Sequence, residues 1–177
     1  MVTPLAHMER AARVKVMIFD VDGVLTDGSL TYGPDGEVTK TFYVLDGLGI
    51  QLLNKTGVQT AIISARTSPI VIKRAADLGI THVFQGQHDK RLAFADLLAK
   101  TGVTAEECGY IGDDVIDLPL FTRVGFAVTV PSGHPEVQYR AHYVTKNSGG
   151  RGAVREVCDM VMRARGTYEQ ALAPYFG

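Results

Sequence analysis

Short apolar runs that stop abruptly on polar residues recur along the chain, separated by stretches in which apolar residues return every three or four positions. The runs are Val14 to Phe19, Val58 to Ile63, His82 to Phe84, Cys108 to Ile111, Gly125 to Val130 and His142 to Thr145. Their length and β-branched or aromatic content read as buried strands. Helices are predicted between them: a short one over residues 5–13, and one through Ile50, Leu52 and Leu53 that Asp46 caps and Gly57 ends. Further helices run from Ser68-Pro69 to Gly79, through Leu92, Ala95, Leu97 and Leu98 to Gly102, over Pro135 to Arg140, and through Val154, Val157, Met160 and Val161. Alternation of this kind over one compact chain predicts an α/β fold, a doubly wound Rossmann-like sheet that is mainly parallel.

One segment breaks the rhythm. Residues 29–43 place alternating residues on both sides of Gly33-Pro-Asp-Gly36, which predicts a β-hairpin inserted after the first strand, either a flap over a site or an oligomer contact. The glycine-rich run Ser148 to Gly152 precedes the last helix, and its glycines are expected to give that segment freedom to move.

Composition narrows the class without naming a chemistry. At 177 residues the chain is read as one domain, 1–177, with a tail at 165–177, and 46% hydrophobic and 21% charged residues suit a globular protein. Eighteen basic and 19 acidic residues leave a net charge of −1, so neither a nucleic-acid nor a membrane partner is expected. Cys108 and Cys158 lack metal-ligand spacing and read as buried thiols of a reducing compartment. Residues 1–13 lack the apolar core of a signal peptide, and no run reaches 18 apolar residues, so a cytoplasmic location is expected.

The first strand delivers Asp20 and Asp22, two residues apart and so on one side of an extended segment. Two such carboxylates repel by roughly 4 kcal/mol at about 4 Å with an effective dielectric near 20. A hard cation such as Mg²⁺ offsets that repulsion and commonly shares its coordination with a substrate phosphate. A Ca²⁺ loop also contains Asp-x-Asp, but Val24 stands at its fifth position and the preceding segment is strand-like; a merely structural turn is the other alternative. Ser64, Lys90 and the pair Asp113-Asp114 also follow predicted strands, at the end of the sheet where ligands bind in such folds.

Together these parts suit phosphoryl transfer. Asp20 is the candidate nucleophile, and Asp22 the acid toward the leaving alkoxide and then the base toward water. Mg²⁺ would be held by Asp20, Asp113 and a backbone carbonyl at Asp22, while Ser64 and Lys90 would hold phosphate oxygens.

In order and type these residues resemble the four motifs of the haloacid dehalogenase superfamily: Asp20-Val-Asp22, Ser64, Lys90 and Gly112-Asp113-Asp114. The gaps between motifs hold no room for a large cap, so the chain looks like a capless member. Asp20 to Gly28, Asp46 to Ile50, Phe84 to Gln87, Tyr110 to Asp114, Asp117 to Pro119 and Gly149 to Glu156 are similar to the family of phosphatases acting on 3-deoxy-D-manno-octulosonate 8-phosphate (Kdo 8-phosphate). That resemblance implies a sugar-acid phosphate substrate in lipopolysaccharide precursor synthesis and a homotetramer associated through hairpins. It also implies a C-terminal tail able to act as a mobile lid, substrate contacts at Arg66, Asp46 and Gly47, and supporting roles for Asp114 and Asp117. The second motif departs from the common Thr-Gly-Arg, reading Ser64-Ala65-Arg66. Arg66 favours a carboxylate-bearing substrate. Alternatives are a phosphatase for another sugar-acid phosphate such as KDN 9-phosphate, a signalling receiver domain, and a non-catalytic assembly domain.

Overall fold

The computed structural model describes residues 4–176. Helix α1 (Pro4–Ala12) leads into strand β1 (Val16–Phe19), which is buried along its whole length. The hairpin follows as β2 (Thr31–Gly33) and β3 (Gly36–Thr39), paired only with each other. The chain continues through α2 (Val44–Lys55), β4 (Gln59–Ile63), α3 (Pro69–Leu78), β5 (His82–Phe84) and α4 (Lys90–Thr101). It ends with β6 (Cys108–Ile111), α5 (Leu118–Phe121), β7 (Phe126–Thr129), α6 (Pro135–Arg140), β8 (Tyr143–Val144), α7 (Ala153–Ala164) and α8 (Tyr168–Leu172).

Six strands form one parallel sheet in the order β5-β4-β1-β6-β7-β8. With β1 at its centre, the period-two alternation of side chains divides the core between two faces. Met17 and Phe19 enter one apolar cluster with Leu53, Val157 and Val161; Val16 and Ile18 enter the other with Phe94, Leu97 and Leu120. Burial on both faces explains why β1 reads as a continuous apolar run. Among the described residues no cap domain covers the sheet, and the hairpin is the insertion between β1 and α2.

Three local readings of the sequence are corrected here. Asp46 does not cap its own helix, which starts at Val44 after Tyr43. Its Oδ1 instead accepts from Arg155 N at 2.8 Å and its Oδ2 from Gly152 N at 3.3 Å, so it satisfies the free N–H groups at the start of α7. The glycines at 149 and 150 are not there for mobility: a Cβ on Gly149 would lie 1.8 Å from Gly23 O, and one on Gly150 2.5 Å from Asp27 N. They let two backbones touch, and Gly150 N donates to Val24 O at 2.9 Å. In the tail, α8 packs Tyr168, Ala171 and Leu172 onto the core of its own chain, with Arg163 stacked 3.6 Å above the Tyr168 ring. It lies beside Lys55 and Thr56, at the end of the sheet where strands begin, away from Asp20. The strands at 125–130 and 142–145 are shorter than their apolar runs, and a 3-10 turn at Val115–Asp117 with α5 follows Asp114, where no helix was predicted.

Candidate active site

β1 ends at Phe19 and the chain turns sharply, because Val21 O accepts from the N–H groups of Val24, Leu25 and Thr26 at 3.2, 2.9 and 3.1 Å. Gly23 takes φ +85°, a left-handed conformation that side chains disfavour. Thr26 Oγ1 ties the turn by accepting from Gly23 N at 3.3 Å and Gly28 N at 3.2 Å. On the neighbouring strand, β6 ends at Ile111 and the next turn is built on Asp117, whose Oδ2 accepts from Asp113 N at 2.8 Å and Asp114 N at 3.1 Å. Asp113 O accepts from His134 N at 2.7 Å, which fixes that turn to the start of α6.

These turns and the one after β4 enclose a crevice of about 290 Å³ lined by Asp20, Asp22, Ser64, Ala65, Arg66, Asp113 and Asp114 among others. Asp46 and Gly47 do not line this crevice, and the Asp46 carboxylate accepts from the backbone at the start of α7. A larger cavity of about 480 Å³, bordered by Met8, Tyr43, Leu45 and Met160, contains none of the four motifs. Chemistry, not size, makes the smaller crevice the candidate site.

Lys90, the first residue of α4, is fully buried beneath the crevice. Its Nζ lies 2.9 Å from Asp20 Oδ2 and donates to Asp117 Oδ1 at 2.6 Å and to the Tyr110 hydroxyl at 2.9 Å. The ammonium thus joins the Asp20 carboxylate to the buried Asp117 and Tyr110 pair. Burial alone would lower the ammonium's pKa, but Asp20 and Asp117 carry it above its ordinary value. The Tyr110 hydroxyl donates to Asp117 Oδ1 at 2.6 Å and is kept protonated by burial and the neighbouring carboxylates.

Asp20 is pushed up to about 6, chiefly by burial, against the pull of Lys90. Asp113 is pushed up to about 7 by burial and by the charges of Asp20 and Asp117. Carboxylate oxygens of Asp20, Asp113 and Asp117 lie within 4.8 Å of one another. Asp117 already meets Lys90, Tyr110 and two backbone N–H groups, which leaves Asp20 and Asp113 as the available pair. Two hard oxygen donors that resist ionisation side by side fit a divalent cation such as Mg²⁺.

Ser64 is buried at the crevice wall, its N donating to Phe84 O at 2.9 Å and its carbonyl accepting from Gln87 N at 3.0 Å. Asp22 is bound by cations: Lys40 of the hairpin donates to Oδ1 at 2.5 Å and Arg66 Nε lies 3.5 Å from Oδ2. Arg66 Nη2 also donates to the Tyr32 hydroxyl at 2.7 Å. Asp114 caps the following 3-10 turn through Val115 N at 2.7 Å.

Sequence reasoning missed Tyr110, Thr26, Glu37 and Lys40. Tyr110 carried a signal, since a tyrosine inside a buried strand must find a partner for its hydroxyl. The hairpin residues carried none, because only the fold brings them back to Asp22.

A parallel sheet whose central strand ends on paired carboxylates, with a lysine buried beneath them and a second acidic turn beside them, defines a phosphoryl-transfer domain. The chain belongs to the haloacid dehalogenase-like hydrolase family, whose sequence profile it matches over residues 60–157. It is 46% identical over 162 residues to the 3-deoxy-D-manno-octulosonate 8-phosphate phosphatase of Escherichia coli K12, spanning 92% of this chain and 86% of that one. The structure of the corresponding Yersinia pestis phosphatase superimposes with a TM-score of 0.90 at 46% identity, covering 93% of this chain and 89% of that one. The Moraxella catarrhalis phosphatase, solved with magnesium ion, phosphate ion and Kdo, superimposes with a TM-score of 0.94 at 40% identity, covering 98% and 99%.

Proposed function

We propose that this chain is a Mg²⁺-dependent phosphomonoesterase that hydrolyses Kdo 8-phosphate to Kdo and phosphate in lipopolysaccharide precursor synthesis. The observation that carries the reading is the convergence of Asp20, Lys90 and Asp113 beneath a crevice that Asp22 and Ser64 also line. High identity over nearly the whole length of Kdo 8-phosphate phosphatases supports the substrate.

Asp20 is the nucleophile: an oxygen of its carboxylate forms a bond to phosphorus as the bond from phosphorus to the sugar oxygen breaks. Asp22 gives its proton to the departing alkoxide, then takes one from the water that attacks the aspartyl phosphate and frees Asp20. Mg²⁺, held by Asp20, Asp113 and the Asp22 carbonyl, would neutralise the carboxylates so that an anionic phosphate can approach. Lys90 fixes the Asp20 carboxylate, Asp117 fixes both Lys90 and the Asp113 turn, and Ser64 donates to a phosphate oxygen. Asp114 shapes the turn that presents Asp113, and Arg66 meets the sugar acid.

The chain acts as a single capless domain and, in this reading, as a cytoplasmic homotetramer. Exposed Leu30, Tyr32, Val38, Val44 and Leu45 on the hairpin and the start of α2 supply an apolar surface for association. Among the described residues no helix is long and apolar enough to cross a membrane.

The test is phosphate release with Mg²⁺ and with EDTA from Kdo 8-phosphate, KDN 9-phosphate and ordinary sugar phosphates, alongside light scattering for the assembly. Strong Mg²⁺-dependent preference for Kdo 8-phosphate, lost in Asp20→Asn, is the expected result. Preference for another substrate would refute the assigned substrate, and undiminished turnover by Asp20→Asn would refute the nucleophile.

A further inference from the structure

We propose that Lys40 is a positioning residue for phosphoryl transfer, its ammonium brought by the hairpin to the Asp22 carboxylate and acting on the reaction through it. The inference rests on the reading of Asp22 as acid and base.

On a hairpin that leaves Tyr32, Val38 and Thr39 exposed, the Lys40 side chain is only 2% exposed. Its Nζ lies 2.5 Å from Asp22 Oδ1 and 2.8 Å from Glu37 Oε1. Glu37 Oε1 lies 3.5 Å from Arg66 Nη2, and Arg66 Nε lies 3.5 Å from Asp22 Oδ2. Asp22, Lys40, Glu37 and Arg66 therefore close a ring of alternating charge. Its members come from the turn after β1, the hairpin, and the turn after β4.

Two features separate this ring from an ordinary surface ion pair. Withdrawing an ammonium from water is costly, and an apolar side chain at position 40 would serve the hairpin alone equally well. The ring also meets both oxygens of the group that must place its proton on the leaving oxygen. A carboxylate at a loop has rotamer freedom to lose, and the Lys40 hydrogen bond, with the Arg66 charge 3.5 Å from the other oxygen, restricts it before substrate arrives.

The chemistry gives a readout that a structural role would not move. An alkoxide needs the Asp22 proton as its bond to phosphorus breaks, whereas p-nitrophenolate leaves without one. Release of the leaving group in a single turnover is measured for wild type, Lys40→Met, Asp22→Asn and the double variant, using Kdo 8-phosphate and p-nitrophenyl phosphate with Mg²⁺. Lys40→Met is expected to slow release from the sugar phosphate about tenfold and from the aryl phosphate by less than about threefold, with Lys40→Arg restoring most of the loss. In the Asp22→Asn background Lys40→Met should add nothing, because residues acting as one unit are not additive.

Equal losses on both substrates, or an undiminished loss in the Asp22→Asn background, would overturn the proposal. Thermal melts establish that each variant is folded, and Lys40→Gln carries the same comparison should Lys40→Met fail to fold. Wild-type protein that releases neither leaving group with Mg²⁺ would instead overturn the phosphatase reading, an outcome visible before any variant is compared.

Discussion

Gly23 and Asp113 are so close across the crevice that a Cβ on Gly23 would lie 2.0 Å from Asp113 Oδ2. The backbone of the turn after β1 therefore sets the position of Asp113. Gly23→Ala combines this overlap with a φ of +85°, which costs a side-chain-bearing residue about 1–2 kcal/mol. Mg²⁺ affinity is expected to fall about tenfold or more, with a drop in Tm of several degrees. Calorimetric titration with Mg²⁺ checks it; wild-type affinity would show that Asp113 can move aside freely.

Lys90 and Asp117 form a completely buried ion pair, with Asp20 on the other side of the ammonium. Lys90→Met leaves two buried carboxylates without their counter-charge, a change of about 3–5 kcal/mol in comparable cases. A Tm lower by about 6–20 °C is expected, together with a fall in kcat, and saturating Mg²⁺ should recover part of the stability through Asp20. A melt unchanged from wild type would remove the pair from the account of stability.

Raised carboxylate pKa values make the effect of Mg²⁺ depend on pH. Asp20 at about 6 and Asp113 at about 7 stand above the ordinary carboxylate value of 3.8, so the metal-free folded protein holds protons that the unfolded chain has released. These two groups therefore contribute stability at low pH that is lost as pH rises from about 4 to about 7. Mg²⁺ displaces the same protons, so the Tm gained on adding Mg²⁺ should grow across that window and level off above about pH 7. Paired melts with Mg²⁺ and with EDTA from pH 5 to 8 measure it, and a gain independent of pH would mean that these carboxylates are not the ligands.

Gly149 meets Gly23 backbone to backbone, which turns the glycine-rich segment from a hinge into a packing contact. Gly149→Ala should displace the turn that carries Asp20 and Asp22, lowering kcat/KM by about tenfold or more, since small displacements of reacting groups are costly. Steady-state kinetics decide the matter; wild-type kcat/KM would restore the hinge.

Much of this was legible in the chain. Strands buried on both faces cannot hide their apolar runs, so β1, β4, β6 and β7 showed themselves, and the chemistry at the end of a strand stands out because it ends such a run. Asp20, Ser64 and Asp113 were readable for that reason. Lys90 was readable as a site residue but not in its contacts, because sequence does not say whether a lysine at a helix start faces solvent or reaches beneath the sheet. Asp46 misled because carboxylates at helix starts usually cap their own helix, while here another helix comes to meet it.

The sequence by itself determined the period of the elements, the parallel class of the sheet, and the order in which the first aspartates, the hydroxyl, the lysine and the acidic pair are delivered to one end of it. These depend on local periodicity and on which residue follows each strand. Only the tertiary structure decided that Lys90 meets Asp20, Asp117 and Tyr110, that Lys40 returns to Asp22, and that Gly149 touches Gly23. Contacts between segments far apart in the chain depend on how the layers pack, and no local pattern of residues encodes that distance.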